Sequence, residues 1–401
     1  MKKVWDKWTR IALVKRILVG LILGAILGIA VPQATGIAIL GDVFVSALKA
    51  IAPLLVFFLV ISSLCNAGKS HGGVIKTVII LYMFSTVLAA VIAVFASMAF
   101  PVKMTLANAA TDTSAPQGIV EVLNNLLLNV VANPVSSLVN ANYVGILMWA
   151  VLLGLAFRAA DKMTKKVLAD VADGISMVVT WIINLAPFGI FGLVFNTVST
   201  NGLDIFTTYG KLLLLLVGCM LFIYFVTNPL LVYWCIRQNP YPLIFHCLKR
   251  SALTAFFTRS SAANIPVNMK VCEEMGLDRD TYSVTIPLGA TINMDGAAIT
   301  ITVMTMATAF TLGIHVDIPT AIILSLLAAL SACGASGVAG GSLLLIPMAC
   351  SLFGISDDIS MQVVAVGFII GVVQDSVETA LNSSSDLLLS ASAEFRQWRL
   401  E

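Results

Sequence analysis

A stripe of polar residues near the C-terminus constrains this chain most. Five residues recur at i, i+3, i+4, i+7 and i+11 within an apolar stretch over about residues 359–390: Asp375, Glu378, Thr379, Asn382 and Asp386. On a helix these positions share one face. A carboxylate at the centre of a membrane helix costs about 2.5 to 3.5 kcal/mol, so three acids on one face require cations or polar partners opposite them. The stripe is therefore a candidate transport site.

Composition indicates which solvent surrounds most of the chain. Hydrophobic residues make up 59% of the 401 residues and charged residues only 11%, which is typical of a protein in lipid. The net charge is only +2, and no basic run with interleaved aromatics occurs, which argues against a nucleic-acid partner. We expect an all-α polytopic membrane protein.

Apolar stretches of spanning length predict eight transmembrane helices. They cover about residues 11–31, 43–66, 74–100, 119–157, 167–198, 205–236, 282–313 and 359–390. The fourth stretch is over-long and contains Asn133-Pro134, which predicts a kink or a break. Most lysines and arginines then fall in loops on one side, so we expect both termini in the cytoplasm.

Two further apolar stretches, residues 242–275 and 319–354, must each enter and leave on one side for this topology to close. Each contains a tip poor in large apolar residues, TRSSAAN at 258–264 and SACGASGVAGGS at 331–342. Non-helical backbone at membrane depth occurs only where it is buried in protein or lines a cavity. Two re-entrant hairpins are therefore predicted.

Each hairpin precedes a span with a polar interruption, TINMDG at 291–296 and DSVETALNSSSD at 375–386. Two hairpin-plus-broken-helix units of opposite orientation are typical of inverted repeats with a binding site between them. Broken helices offer N–H groups to a carboxylate and free carbonyls to a small cation. Four side chains add hard oxygen ligands that suit an alkali ion: Asn293, Asp295, Asn382 and Asp386. With Asp375 available for an ammonium group, a zwitterionic amino acid and Na⁺ together satisfy the site.

Four segments carry a resemblance to a known family: TRSSAANIPVNM (258–269), PLGATINMDG (287–296), GASGVAGGS (334–342) and QDSVETALNSSSD (374–386). In this order they resemble the signature segments of the dicarboxylate/amino acid:cation symporter family. The resemblance covers essentially the whole chain and is strongest to bacterial sodium-dependent serine/threonine symporters. It implies a homotrimer embedded in the lipid of the bacterial inner membrane, with transport rather than enzymatic activity.

The resemblance also implies an elevator mechanism, in which a transport domain moves against a static scaffold. The expected scaffold covers residues 1–73 and 118–198, and the expected transport domain covers residues 74–117 and 199–401. Both hairpins belong to the second transport segment.

By resemblance, eight residues are expected at the substrate: Arg259, Ser260, Ser261, Met294, Asp375, Glu378, Thr379 and Asn382. The backbone around Ser260 and Ser261 should meet the substrate α-carboxylate, together with the Asn382 side chain. Asp375 should meet the α-ammonium group.

Three sodium sites are implied by the same resemblance. The first combines Asp386 with the carbonyls of Gly289, Asn293 and Asn382. The second combines the Thr291 carbonyl with the second hairpin's backbone at Ala332, Cys333 and Ala335. The third combines Tyr82, Ser85 and Thr86 with Asn293 and Asp295.

Two departures from the acidic-substrate members of the family bear on selectivity. Glu378 stands where those members carry arginine, and Ala297 stands where they carry threonine. An acidic side chain beside Glu378 would meet a like charge in low dielectric, a repulsion of several kcal/mol. Either Arg259 pairs with Glu378 or Glu378 contacts the substrate directly. Both alternatives favour serine or threonine over a dicarboxylate.

Two other functions compete with symport. Ser336, within GASG at 334–337, would be the nucleophile of an intramembrane protease, but the three histidines fall in loops or near span ends, away from it. A passive channel would hold a pore open to both sides, whereas hairpins from opposite faces indicate alternating gates.

Gly20, Gly24 and Gly28 lie four residues apart on the first span. This spacing favours close intramolecular packing over an oligomer face.

Overall fold

The structure is a computed structural model that describes residue 11 and residues 13–66, 73–106, 127–128, 130–203, 205–333 and 340–400. Every regular element in these stretches is helical. The helices of the first half are α1 (Leu13–Ala30), α2 (Ile39–Asn66), α3 (Gly73–Ala99), α4 (Pro134–Val139), α5 (Tyr143–Ala156), α6 (Lys162–Asn184) and α7 (Ala186–Asn201).

The second half holds ten further helices in the described residues. They are α8 (Ile205–Phe222), α9 (Asn228–Ile236), α10 (Tyr241–Cys247), α11 (Leu253–Thr258), α12 (Ser261–Glu274), α13 (Arg279–Ile292), α14 (Asp295–Thr311), α15 (Ile318–Ala332), α16 (Ile346–Ser351) and α17 (Asp357–Leu400). Short π-helical turns at Ile223–Thr227 and Leu248–Ala252 join α8 to α9 and α10 to α11. A 3₁₀ turn at Gly341–Leu345 leads into α16.

Six helical segments of the described chain are long and apolar enough to cross a bilayer. They are Thr35–Asn66, Gly73–Ala99, Lys162–Asn184, Ile205–Ile236, Arg279–Thr311 and Asp357–Leu400. The 27 residues of α3, for example, extend about 40 Å at 1.5 Å per residue, more than the hydrocarbon thickness of about 30 Å. These segments make the chain a multi-pass membrane protein, while the predicted count of eight crossings stays a prediction.

α1 and α7 pack together through the glycines of α1. A Cβ on Gly20 would lie 2.2 Å from the Pro187 carbonyl oxygen, and a Cβ on Gly24 would lie 2.6 Å from that of Phe191. At Gly28 the corresponding distance to the Phe195 oxygen is 3.0 Å. These glycines therefore let the backbones of α1 and α7 touch within one chain, which confirms the prediction of close intramolecular packing.

The fourth predicted span is interrupted where the sequence indicated. Asn133 caps α4, since its side-chain oxygen accepts hydrogen bonds from the backbone N–H groups of Val135 and Ser136. Pro134 occupies the first turn, where its missing N–H has no cost. The fifth predicted span is likewise divided, because α6 ends at Asn184 and α7 starts at Ala186.

The core of the molecule surrounds α14, whose residues from Asp295 to Ala309 are all buried. α3, α15 and α17 pack against it. The predicted break before α14 is confirmed: α13 ends at Ile292, and Asn293 and Met294 are non-helical.

The predicted break in the last span is wrong. α17 runs uninterrupted over 44 residues, through the whole polar stripe. Two serines of this segment form hydrogen bonds within the helix and do not interrupt it. Ser384 Oγ donates to the Ala380 carbonyl at 2.5 Å, and Ser385 Oγ donates to the Leu381 carbonyl at 2.5 Å.

Candidate functional site

The non-helical pair Asn293-Met294 brings two helix ends into the buried core. α13 ends there, and α14 begins there with Asp295 in its first turn. Asn293 and Asp295 have no solvent-accessible surface. A helix C-terminus favours a cation nearby, so this break suits a small ion bound between the helices.

Asp386 and Asn293 meet across the break. Asn293 Nδ2 donates to Asp386 Oδ1 at 2.9 Å and lies 3.5 Å from the Asn382 carbonyl oxygen. The other oxygens of the pair, Asn293 Oδ1 and Asp386 Oδ2, are buried and have no hydrogen-bond partner among the described residues. Both unpaired atoms are acceptors, and an acceptor pair buried without donors is the arrangement that a hard cation satisfies.

Gly289 and Tyr82 lie against the Asp386 side of the Asn293–Asp386 pair. A Cβ on Gly289 would lie 2.8 Å from both Asp386 Oδ1 and the Tyr82 hydroxyl, so only glycine lets α13 approach α17 this closely. The Tyr82 hydroxyl donates to the Asp386 carbonyl at 2.9 Å and lies 2.7 Å from Ser390 Oγ. Tyr82 thus anchors α3 to the Asp386 side of the site.

Asp295 is held from α3 by two hydroxyls. Ser85 Oγ donates to Asp295 Oδ2 at 2.8 Å, and Thr86 Oγ1 lies 3.2 Å from Asp295 Oδ1. The predicted grouping of Ser85 and Thr86 with Asp295 is therefore present in the geometry. The backbone carbonyl of Tyr82 lies 3.0 Å from the same Thr86 hydroxyl, while the Tyr82 hydroxyl bonds to α17.

The second predicted sodium set lies where two helix C-termini meet. Cys333, directly after α15, has its sulfur 3.6 Å from the Ile292 carbonyl oxygen at the end of α13. Ala332 is fully buried, and the Thr291 hydroxyl donates to the Leu288 carbonyl at 2.7 Å. Ala335 and Ser336 lie outside the described residues.

The pairing of Arg259 differs from the first expected alternative. Arg259 Nε lies 2.6 Å from Asp375 Oδ2, with only 10% and 4% of the two side chains exposed. The backbone N–H of Gly340 donates to Asp375 Oδ1 at 3.2 Å. Asp375 therefore holds the tips of both predicted hairpins, and the expected pairing of Arg259 with Glu378 is wrong.

Glu378 is engaged elsewhere by three donors. Its Oε2 accepts from Thr300 Oγ1 at 2.7 Å, Ser342 Oγ at 2.9 Å and Gln374 Nε2 at 2.5 Å. These three donors stabilise the Glu378 carboxylate. Arg259 pairs with Asp375, which lies one helical turn before Glu378. Gly296 permits the approach, since its Cβ would lie 2.9 Å from Glu378 Cα.

The rest of the expected substrate set flanks this network. Asn382 Oδ1 accepts from the Gly296 N–H at 2.7 Å, while its Nδ2 lies 3.4 Å from the sulfur of Met294, a weak acceptor. Ser260 is the N-cap of α12 and accepts from the Ala263 N–H, and Ser261 begins that helix. Thr379 is buried on the face of α17 that carries Asp375.

Comparison with known proteins decides the family. A model of the sodium:dicarboxylate symporter family matches residues 13–394. The chain belongs to this family. The serine/threonine transporter SstT of Bifidobacterium adolescentis is 58% identical over 399 residues, covering 99% of this chain and 93% of that protein. The serine/threonine transporter SstT of Streptococcus thermophilus is 55% identical over 400 residues, covering 100% of both chains.

Sequence reasoning missed several polar partners in this symporter site. Gln374, Thr300 and Ser342 form the donor set of Glu378, and only Gln374 had a readable signal, its i, i+4 spacing from Glu378. Asn264 and Asn268 of α12 both bond to Ser383 on α17. These contacts join the first predicted hairpin to the last helix, and none of them follows from local spacing.

Proposed function

We propose that this chain is a sodium-coupled symporter that imports small neutral amino acids, above all L-serine and L-threonine, across the bacterial inner membrane. One observation carries the proposal: Asp386 and Asn293 share a hydrogen bond while each keeps a buried oxygen without a donor. Full-length relatives named serine/threonine transporters, at 55% and 58% identity, support the choice of substrate.

Sodium and substrate would be coupled through Asn382. Its backbone carbonyl lies beside Asn293 in the proposed ion site, while its side-chain Nδ2 points toward the weak Met294 contact on the substrate side. An ion that fixes this carbonyl also fixes the amide for the substrate carboxylate. Each ligand then raises the affinity for the other, as linkage requires.

The substrate ammonium would have to reach Asp375. Arg259 already contacts one oxygen of this carboxylate. The guanidinium must therefore move away, or share the carboxylate, before an ammonium group can bind. The first N–H groups of α12, which begins at Ser261, are suited to the substrate carboxylate.

Glu378 would exclude acidic substrates. It is buried, and among the described residues it accepts hydrogen bonds from the neutral donors Thr300, Ser342 and Gln374. An added carboxylate nearby would meet its negative charge, while the neighbouring cation Arg259 is paired with Asp375. A hydroxyl on the substrate carries no such penalty.

The larger assembly follows the family. We infer a homotrimer with both termini in the cytoplasm, in which residues 74–117 and 199–401 move as an elevator against residues 1–73 and 118–198. Two further sodium ions would bind at Asp295 with Ser85 and Thr86, and between the ends of α13 and α15.

Uptake of radiolabelled L-serine into proteoliposomes tests the proposal. An inward Na⁺ gradient should drive saturable accumulation that a K⁺ gradient does not support. Excess L-threonine should compete fully and excess L-aspartate only weakly. Serine entry that is non-saturable and independent of Na⁺ would contradict symport, and competition by aspartate equal to that of threonine would contradict the role of Glu378.

A further inference from the structure

A long apolar groove runs between α3 and α8, away from the proposed transport site. Its volume is 920 Å³, and apolar residues line it except at Lys211. The wall from α8 includes Leu214, Gly218 and Phe222, and the wall from α3 includes Phe95. Leu214 is 74% exposed and Phe95 is 57% exposed, so the described residues leave these side chains uncovered.

The groove has one charged end. Lys211 lies one turn before Leu214 on α8, and the groove-lining residues Phe100 and Pro101 follow the end of α3. Lys103 comes two residues after Pro101 and is also exposed. No described carboxylate lies within ion-pair distance of either lysine. Among the described residues, the groove therefore ends in positive charge without an ion-pair partner.

The length of the groove matches one leaflet. From Lys211 to Phe222 the helix rises about 16 Å at 1.5 Å per residue. The hydrocarbon core of a bilayer is about 30 Å thick, so the groove extends through about half of it. A groove of this length can hold one acyl chain of a lipid whose headgroup is at the level of the lysine.

We propose that this groove is a binding site for one anionic phospholipid, with an acyl chain between α3 and α8 and the phosphate group on Lys211. Charge complementarity selects the headgroup, since a basic residue at the membrane surface attracts anionic lipid. Shape selects the chain, because Gly218 leaves the floor of the groove open: a Cβ there meets nothing within 4 Å. This proposal requires that the chain is inserted in a membrane. It does not depend on which substrate the chain transports.

Two variants separate the headgroup from the chain. Lys211→Gln removes the charge and leaves the groove, whereas Lys211→Arg keeps the charge. Gly218→Leu fills the floor without a clash and improves helix propensity, so the chain should fold. Gly210→Leu is the matched control, because Gly210 is on the same helix, also has open space around its Cβ, and does not line the groove.

Native mass spectrometry of the purified full-length protein, titrated with phosphatidylglycerol or with phosphatidylcholine of identical acyl chains, gives the readout. The wild type, Lys211→Arg and Gly210→Leu should bind phosphatidylglycerol about fivefold more tightly than phosphatidylcholine. Lys211→Gln should lose this preference, and Gly218→Leu should lose the tightly bound lipid.

Three results would overturn the proposal. An unchanged phosphatidylglycerol preference in Lys211→Gln and Gly218→Leu would mean ordinary surrounding lipid only. Equal binding of both lipids to the wild type would remove the headgroup assignment. A smaller oligomer in Gly218→Leu but not in Gly210→Leu would mean that a second copy of the chain covers the groove.

Discussion

At the scale of residues, the acids of the last helix could be found from sequence, but their partners could not. Asp375 and Glu378 lie three residues apart on one helical face, so sequence spacing leaves Arg259 a choice between two nearby acids. The choice depends on Thr300 and Ser342, which donate to Glu378 from distant segments. Only the folded chain shows that Glu378 is already solvated and that Arg259 pairs with Asp375.

Neutralising Asp386 should uncouple sodium from transport. Asp386→Asn removes the negative charge of the carboxylate that carries one of the two unpaired oxygens, so the Na⁺ concentration for half-maximal serine uptake should rise by about tenfold or more. Asp161→Asn is the control, since Asp161 caps α6 and asparagine caps helices equally well. An unchanged Na⁺ dependence in Asp386→Asn would remove Asp386 from the ion site.

Removing Asp375 should eliminate substrate binding. The substrate amine would lose its partner, and serine affinity measured by calorimetry at saturating Na⁺ should fall by at least about 30-fold. Because Asp375→Ala also leaves the buried Arg259 unpaired, the double variant Arg259→Gln with Asp375→Asn removes both charges and preserves neutrality. Wild-type affinity in a folded double variant would refute the assignment of the amine to Asp375.

At the scale of elements, hydrophobic periodicity and helix-breaking residues predicted where helices begin and break more reliably than polarity did. Asn133-Pro134 and the segment around Asn293 are breaks in the structure, and both combine a polar residue with a local backbone signal. The segment of α17 from Asp375 to Asp386 contains no proline or glycine, and its residues Ser384 and Ser385 bond to carbonyls of the preceding turn. Polarity alone therefore predicted a break that the backbone does not make.

The approach of α13 to α17 depends on a missing side chain. Gly289→Ala would place a Cβ 2.8 Å from Asp386 Oδ1, which pushes the helices apart at the proposed ion site. We expect weaker Na⁺-dependent serine uptake with near-normal thermal stability in detergent, because alanine favours a helix. Gly210→Ala, with open space around its Cβ, should leave uptake unchanged. Normal sodium affinity in Gly289→Ala would contradict the close-approach argument.

At the scale of the whole molecule, the described residues of the predicted scaffold and transport domain contact each other through apolar packing and through exposed ion pairs. Lys49 of α2 lies 3.0 Å from Asp357 and 2.8 Å from Asp358 at the start of α17, but these side chains are 28% to 88% exposed. Exposed ion pairs contribute about 0 to 1 kcal/mol. Phe44 and Phe368 add one edge-to-face contact at 5.3 Å. An interface of this kind is compatible with the sliding that an elevator requires.

Coupling between the two ligands is best measured in reverse. If Asn382 links the ion site to the substrate site, an inward L-serine gradient should drive radioactive sodium into proteoliposomes that start with equal Na⁺ concentrations on both sides. L-threonine should replace serine as the driving solute, and L-aspartate should not. Sodium entry that is the same with and without a serine gradient would contradict coupled symport through this site.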